Sequence, residues 1–134
     1  METCLNCFKE AMKLKEVEAR EYSPLALAYL GDAVYELAIR TFVMNHGNTQ
    51  VNKMHKKTAG LVKAEAQANF YKVLEEELTE EEKAVYRRGR NAHSPTMAKH
   101  ATMADYRRAT GFEALIGYLY LKEEYTRMIT LIRM

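Results

Sequence analysis

The chain predicts an all-α fold, on three observations. Only two prolines and six glycines interrupt its 134 residues. The alternating β-branched runs that mark half-buried strands are missing from it. Apolar residues instead recur at three- and four-residue steps behind recognisable helix-start signals. The length fits one domain, residues 1–134, with a modest core and six to seven helices.

In chain order, a first short helix is expected from about Glu2 to Val17. Ser23-Pro24 then offers an N-cap followed by proline at the first helical position, and Gly47 ends the helix near Asn45. Along that helix Leu27, Leu30, Val34, Leu37 and Thr41 form the expected core stripe. Val51, Met54, Thr58 and Leu61 mark a third helix, basic elsewhere, which Gly60 is expected to break. A further helix follows from about Leu61 to Leu78, with Leu61, Ala64, Ala68, Tyr71 and Leu74 or Val73 inward. Thr79 and Glu82 make a capping box for a helix ending near Arg90. His93 to Ala104, which holds Ser94-Pro95, is the most loop-like stretch. A long helix from about Asp105 to Leu121 and a short C-terminal one complete the chain, with Phe112, Leu115, Ile116 and Leu119 facing inward. Tyr29, Tyr35, Tyr118 and Tyr120 fall in helical stripes and read as core or interface residues.

The net charge of +2 argues for no polyanion by itself, but it hides an asymmetry. Glu75, Glu76, Glu77, Glu80, Glu81 and Glu82 hold six of the 18 acids, so the remainder of the chain is basic. No run is long enough to span a membrane, and the N-terminus lacks a signal-peptide pattern, so a cytoplasmic protein is expected. Cys4 and Cys7 form a lone Cys-x-x-Cys with no second pair to complete a zinc site, and read as reduced thiols.

Two acids stand out. Asp32 and Glu113 each lie inside a strongly apolar helical run, next to or near a glycine, with no basic residue one turn away. Glu36, by contrast, has Arg40 one turn on to pair with. If the two helices cross through Gly31 and Gly117, the acids meet. A divalent cation such as Mg²⁺ is then one of few things that offsets two partly buried carboxylates. A lone acid beside an apolar stripe is more commonly solvated, and spacing leaves both readings open. Arg87, Arg88, Arg90 and Asn91 end a helix. Cations there stabilise the helix terminus, yet guanidinium forks on a turn also grip phosphates. Lys53, Lys56, Lys99, Arg107 and Arg108 extend the positive charge.

Three blocks carry a family resemblance: Leu25-Ala-Leu-Ala-Tyr-Leu-Gly-Asp32, Arg87-Arg-Gly-Arg-Asn-Ala92 and Thr110-Gly-Phe-Glu113, in that order. Together they resemble Mini-ribonuclease III, the short branch of the ribonuclease III family that lacks a double-stranded RNA-binding domain. The resemblance implies the ribonuclease III endonuclease-domain fold, assembled as a two-fold homodimer. It implies cutting of double-stranded RNA with Mg²⁺ (Mn²⁺ as substitute) to give 5′-phosphomonoesters, and maturation of 23S ribosomal RNA precursor as the task. Asp32 and Glu113 would be catalytic and metal-binding. Full-length enzymes of the family carry acids where this chain has Ala28 and Thr110, so fewer charged ligands and more metal-bound water are expected. Those two positions also leave open a catalytically silent RNA-binding or ribosome-assembly protein with the same fold, and a helical interaction module. Metal-dependent cleavage separates the first reading from both.

Overall fold

The computed structural model describes residues 3–47, 50–62, 73–92 and 103–133. Six α-helices occur among them: α1 (Cys4–Ala11), α2 (Pro24–Asn45), α3 (Val51–Val62), α4 (Glu80–Asn91), α5 (Met103–Leu121) and α6 (Tyr125–Arg133). Short 3₁₀ turns at Ala19–Glu21 and Glu75–Glu77 lead into α2 and α4.

The expected caps start the helices. Ser23 Oγ accepts the Ala26 amide at 3.1 Å with Pro24 at the first helical position. At α4 the box is reciprocal: the Thr79 amide donates to Glu82 Oε1 at 2.9 Å, and the Glu82 amide donates to Thr79 Oγ1 at 3.2 Å. Two helices stop where the chain turns left-handed without glycine. Lys13 (φ 51°) and Glu123 (φ 59°) follow α1 and α5. Leu14 N–H returns to Lys9 O and Glu124 N–H to Leu119 O, which satisfies the terminal carbonyls. That turn at Lys13 is why α1 ends at Ala11 rather than running on to Val17.

The core is built around α5, which packs mainly on α2 and then on α4, while α3 lies against α2. Phe112, Leu115, Ile116 and Leu119 are buried as expected, joined by Leu27, Tyr35, Leu74, Val85, Tyr86 and Leu131. Two further expectations are corrected. On α2 the core face holds Leu27, Ala28, Gly31, Tyr35 and Val43, while Leu37 and Thr41 face solvent. The helix is apolar nearly all round, so spacing alone does not choose a face. Gly60 does not break α3, which continues to Val62. Of the pair at the end of the 61–78 segment, Leu74 is buried and Val73 exposed; Ala64, Ala68 and Tyr71 lie outside the described residues. The loop expected at 93–104 is likewise described only from Met103 on, inside α5.

Candidate metal centre and nucleic-acid interface

Helices α2 and α5 touch backbone to backbone. A Cβ added at Gly31 would sit 1.7 Å from the Glu113 carbonyl oxygen and 2.8 Å from the Gly117 nitrogen. One added at Gly117 would sit 2.1 Å from the Leu27 carbonyl oxygen and 3.1 Å from the Gly31 nitrogen. Only glycine permits this approach. Its consequence is chemical: Asp32 follows Gly31, and Glu113 precedes Gly117 by one turn on the strand of helix that Gly31 touches.

The charge of Asp32 acts on Glu113. Burial, and then the charge of Asp32, pushes the Glu113 carboxyl from 4.5 up to about 8. Asp32 opens to solvent yet is partly desolvated; burial first, and Glu36 second, raises it above the ordinary range. No hydrogen bond or cation relieves either acid among the described residues. Glu36 is satisfied differently, by Arg40, whose Nε donates to its Oε1 at 2.9 Å. Ala28 and Thr110 add no ligand: Ala28 is buried, and the Thr110 hydroxyl donates to Tyr106 O at 2.9 Å. Among the described residues no group of three or more His, Cys, Asp and Glu side chains is placed to hold a metal ion; the candidate donors are the carboxylates of Asp32 and Glu113. Two hard oxygen donors whose mutual repulsion awaits a positive charge fit a divalent cation that keeps most of its water.

The arginine turn is held against α5, the helix that carries Glu113. Gly89 is pressed onto α5: a Cβ there would meet Ala114 Cβ at 2.8 Å, Gly111 Cα at 2.9 Å and Thr110 O at 3.2 Å. That contact seats the last turn of α4 against the residues flanking Glu113. Arg87, Arg88 and Asn91 are exposed there; Arg90 is half-buried, its guanidinium carbon 5.7 Å from the Tyr86 ring centre. Arg107 and Arg108 lie one to two turns before Glu113 on α5. None of these five arginines forms a salt bridge with a described residue, whereas Arg20, Arg40, Arg127, Lys83 and Lys122 all do. Lys53 and Lys56 are exposed on α3, which faces the C-terminal half of α2 rather than the acid pair. Lys99 lies outside the described residues.

The spacing did not reveal a second, outward apolar stripe on α2. Ala26, Tyr29, Ala33, Leu37 and Met44 share one solvent-facing side, with Tyr29 85% and Leu37 68% exposed. The available signal was that α2 holds more apolar residues than one core stripe uses.

Comparison with known proteins identifies the family and the fold. Residues 25–124 match the Ribonuclease III domain family. The chain is 52% identical over 83% of its length to a Mini-ribonuclease 3 of Clostridium tetani, covering 74% of that protein. It is 46% identical over 84% of its length to a Mini-ribonuclease 3 of Enterococcus faecalis, covering 87% of that protein. A crystal structure of a Fusobacterium nucleatum protein superposes with a TM-score of 0.78 at 33% identity, over 85% of this chain and 91% of that one.

Proposed function

The chain belongs to the ribonuclease III family, in its Mini-ribonuclease 3 branch, and on that premise we propose that it cleaves double-stranded RNA through Asp32 and Glu113. The observation that supports the proposal is the glycine-on-glycine crossing, which brings the helices bearing Asp32 and Glu113 into backbone contact; burial and the Asp32 charge push the Glu113 carboxyl up to about 8. Asp32 and Glu113 are the residues to hold Mg²⁺, or Mn²⁺ in its place. When bound, that ion supplies a Lewis acid at the scissile phosphate. In-line attack of water on phosphorus forms a P–O bond as the P–O3′ bond breaks, and a proton passes to O3′, leaving a 5′-phosphate and a 3′-hydroxyl.

Around the acid pair, Arg87, Arg88, Arg90 and Asn91 hold backbone phosphates by guanidinium forks and an amide. Arg107, Arg108, Lys53, Lys56 and Lys99 extend that grip. A-form RNA hides its major groove, so recognition works by shape, phosphates and 2′-hydroxyls. The outward stripe of α2 is the natural dimer seam, and a two-fold homodimer presents one acid pair to each strand. The natural substrate on this proposal is a stem of 23S ribosomal RNA precursor.

The decisive variant is Asp32→Asn, assayed on end-labelled duplex RNA with Mg²⁺. Cleavage is expected to fall about a hundredfold or more at unchanged helix content. Cutting at the unmodified rate would exclude Asp32 as a ligand. A catalytically silent RNA binder is the rival that Ala28 and Thr110 leave open. Salt-sensitive duplex binding by the unmodified protein without any cleavage in Mg²⁺ or Mn²⁺ would select it.

A further inference from the structure

The C-terminal end of α2 carries a pair of rings that cleavage leaves unused. Phe42 is 53% exposed, although it lies on the side of α2 that elsewhere packs into the core. Its ring stacks on that of His46, with centroids 4.1 Å apart and planes 34° from parallel. The Nδ1–H of His46 donates to the Phe42 carbonyl at 3.0 Å, which holds the second ring in place. Helix α3 passes here, and a cleft of about 380 Å³ opens between the two helices, lined by Phe42, Val43, His46, Lys56, Lys57 and Gly60. Gly60 leaves its wall open, since an added Cβ would meet nothing within 4 Å.

A π face and two ammonium groups with no carboxylate partner among the described residues share one cleft. That pairing suits a nucleotide, whose base stacks while its phosphate meets the lysines. An apolar protein segment would use the aromatic floor and leave the lysines idle. The base must be unpaired, because within a duplex its faces are already covered by its neighbours.

Position supports the assignment. At 1.5 Å per residue the Phe42–His46 platform lies about 15–21 Å along α2 from Asp32, and His46 is only about 40° around the helix from it. A strand leaving the acid pair along α2 therefore runs to the cleft. We propose that this cleft holds one or two unpaired nucleotides flanking the duplex that is cut, stacked on Phe42 and His46 with phosphates against Lys56 and Lys57. The proposal rests on duplex RNA being the substrate.

Binding is measured by fluorescence anisotropy in the Asp32→Asn protein, which keeps the RNA intact. The probes are a blunt duplex, the same duplex with a short single-stranded uridine tail on its 3′ or 5′ end, and free oligouridylate. One tail is expected to tighten binding about tenfold. Phe42→Ala should abolish that gain while the blunt duplex binds as before, and Phe42→Tyr should keep it. No gain from either tail, a gain that survives Phe42→Ala, or equal weakening of blunt and tailed duplexes would each overturn the cleft. Failure of the unmodified protein to cut any duplex would overturn the nuclease proposal instead. Oligouridylate binding lost in Phe42→Ala would in that case still mark a nucleotide site.

Discussion

At Glu113 the folded chain keeps a proton that a free glutamate gives up near 4.5, because burial and the Asp32 charge carry its pKa to about 8. A raised carboxylate pKa sets the sign. The metal-free protein loses stability as pH climbs from about 4.5 to about 8, over the range where the unfolded chain is ionised and the folded one is not. Glu113→Gln removes that cost. Its melting temperature should exceed that of the unmodified protein by a few degrees near pH 8.5 and match it near pH 5. A cation must displace the same proton, so apparent Mn²⁺ affinity should climb steeply between about pH 6 and 8, and more gently in Glu113→Gln. Equal melting curves at both pH values would show that the carboxylate is solvated. Beside it, Gly31→Ala tests the crossing: a methyl 1.7 Å from the Glu113 carbonyl oxygen forces α2 and α5 apart. Urea unfolding should show a loss of about 3 kcal/mol or more. The same change at Gly60, which faces open space, should instead add up to about 1 kcal/mol.

Helix α4 shows what local sequence can and cannot convey about an element. Its start was legible because a capping box is complete within four residues, Thr79 to Glu82. Its anchor was not, because Arg127 lies 45 residues further on. Glu82 is buried, and burial alone would raise it. Hydrogen bonds from Arg127 Nε and Nη2 at 2.8 Å each, and from the Thr79 amide, carry it below the ordinary range instead. Arg127 also donates to the Glu77 carbonyl at 2.7 Å, so one guanidinium ties α6 to the entry of α4. Arg127→Ala leaves a buried carboxylate with no cation, and denaturant titration should show a loss of about 3–5 kcal/mol. A loss below about 1 kcal/mol would mean that water replaces the guanidinium. Because the Glu82 pKa is depressed, the pair stabilises above the unfolded-chain value of 4.5, and its contribution disappears as pH falls below it. Long-range geometry was legible only where side-chain size forced it. Gly31 and Gly117 announced a close crossing, and it placed Asp32 beside Glu113. The apolar surplus of α2 offered no such marker, so Leu37 read as core when it faces out.

Across the whole molecule, a net charge of +2 conceals a division that α4 spans by itself. Glutamates crowd its N-terminal end, where Arg127 and Lys122 hold two of them; Arg87, Arg88 and Arg90 close its other end against the acid-pair region of α5. A polyanion is thus drawn to one end of the helix and repelled from the other, and a stripe of exposed apolar residues on α2 lies ready to double that surface. If two copies join through Tyr29, Leu37 and Met44, each duplex meets two arginine turns. Leu37→Asp puts a charge on that seam at a position 68% exposed, so the fold itself should tolerate it. Sedimentation equilibrium should then show a monomer for Leu37→Asp and, on the proposed seam, a dimer for the unmodified protein. Duplex binding should weaken, and the slope of log K against log salt should drop by about half, since each protomer brings its own phosphate contacts. A dimer that survives Leu37→Asp would move the seam off α2. A monomer that keeps the full salt slope would show that one arginine turn carries the electrostatic grip alone.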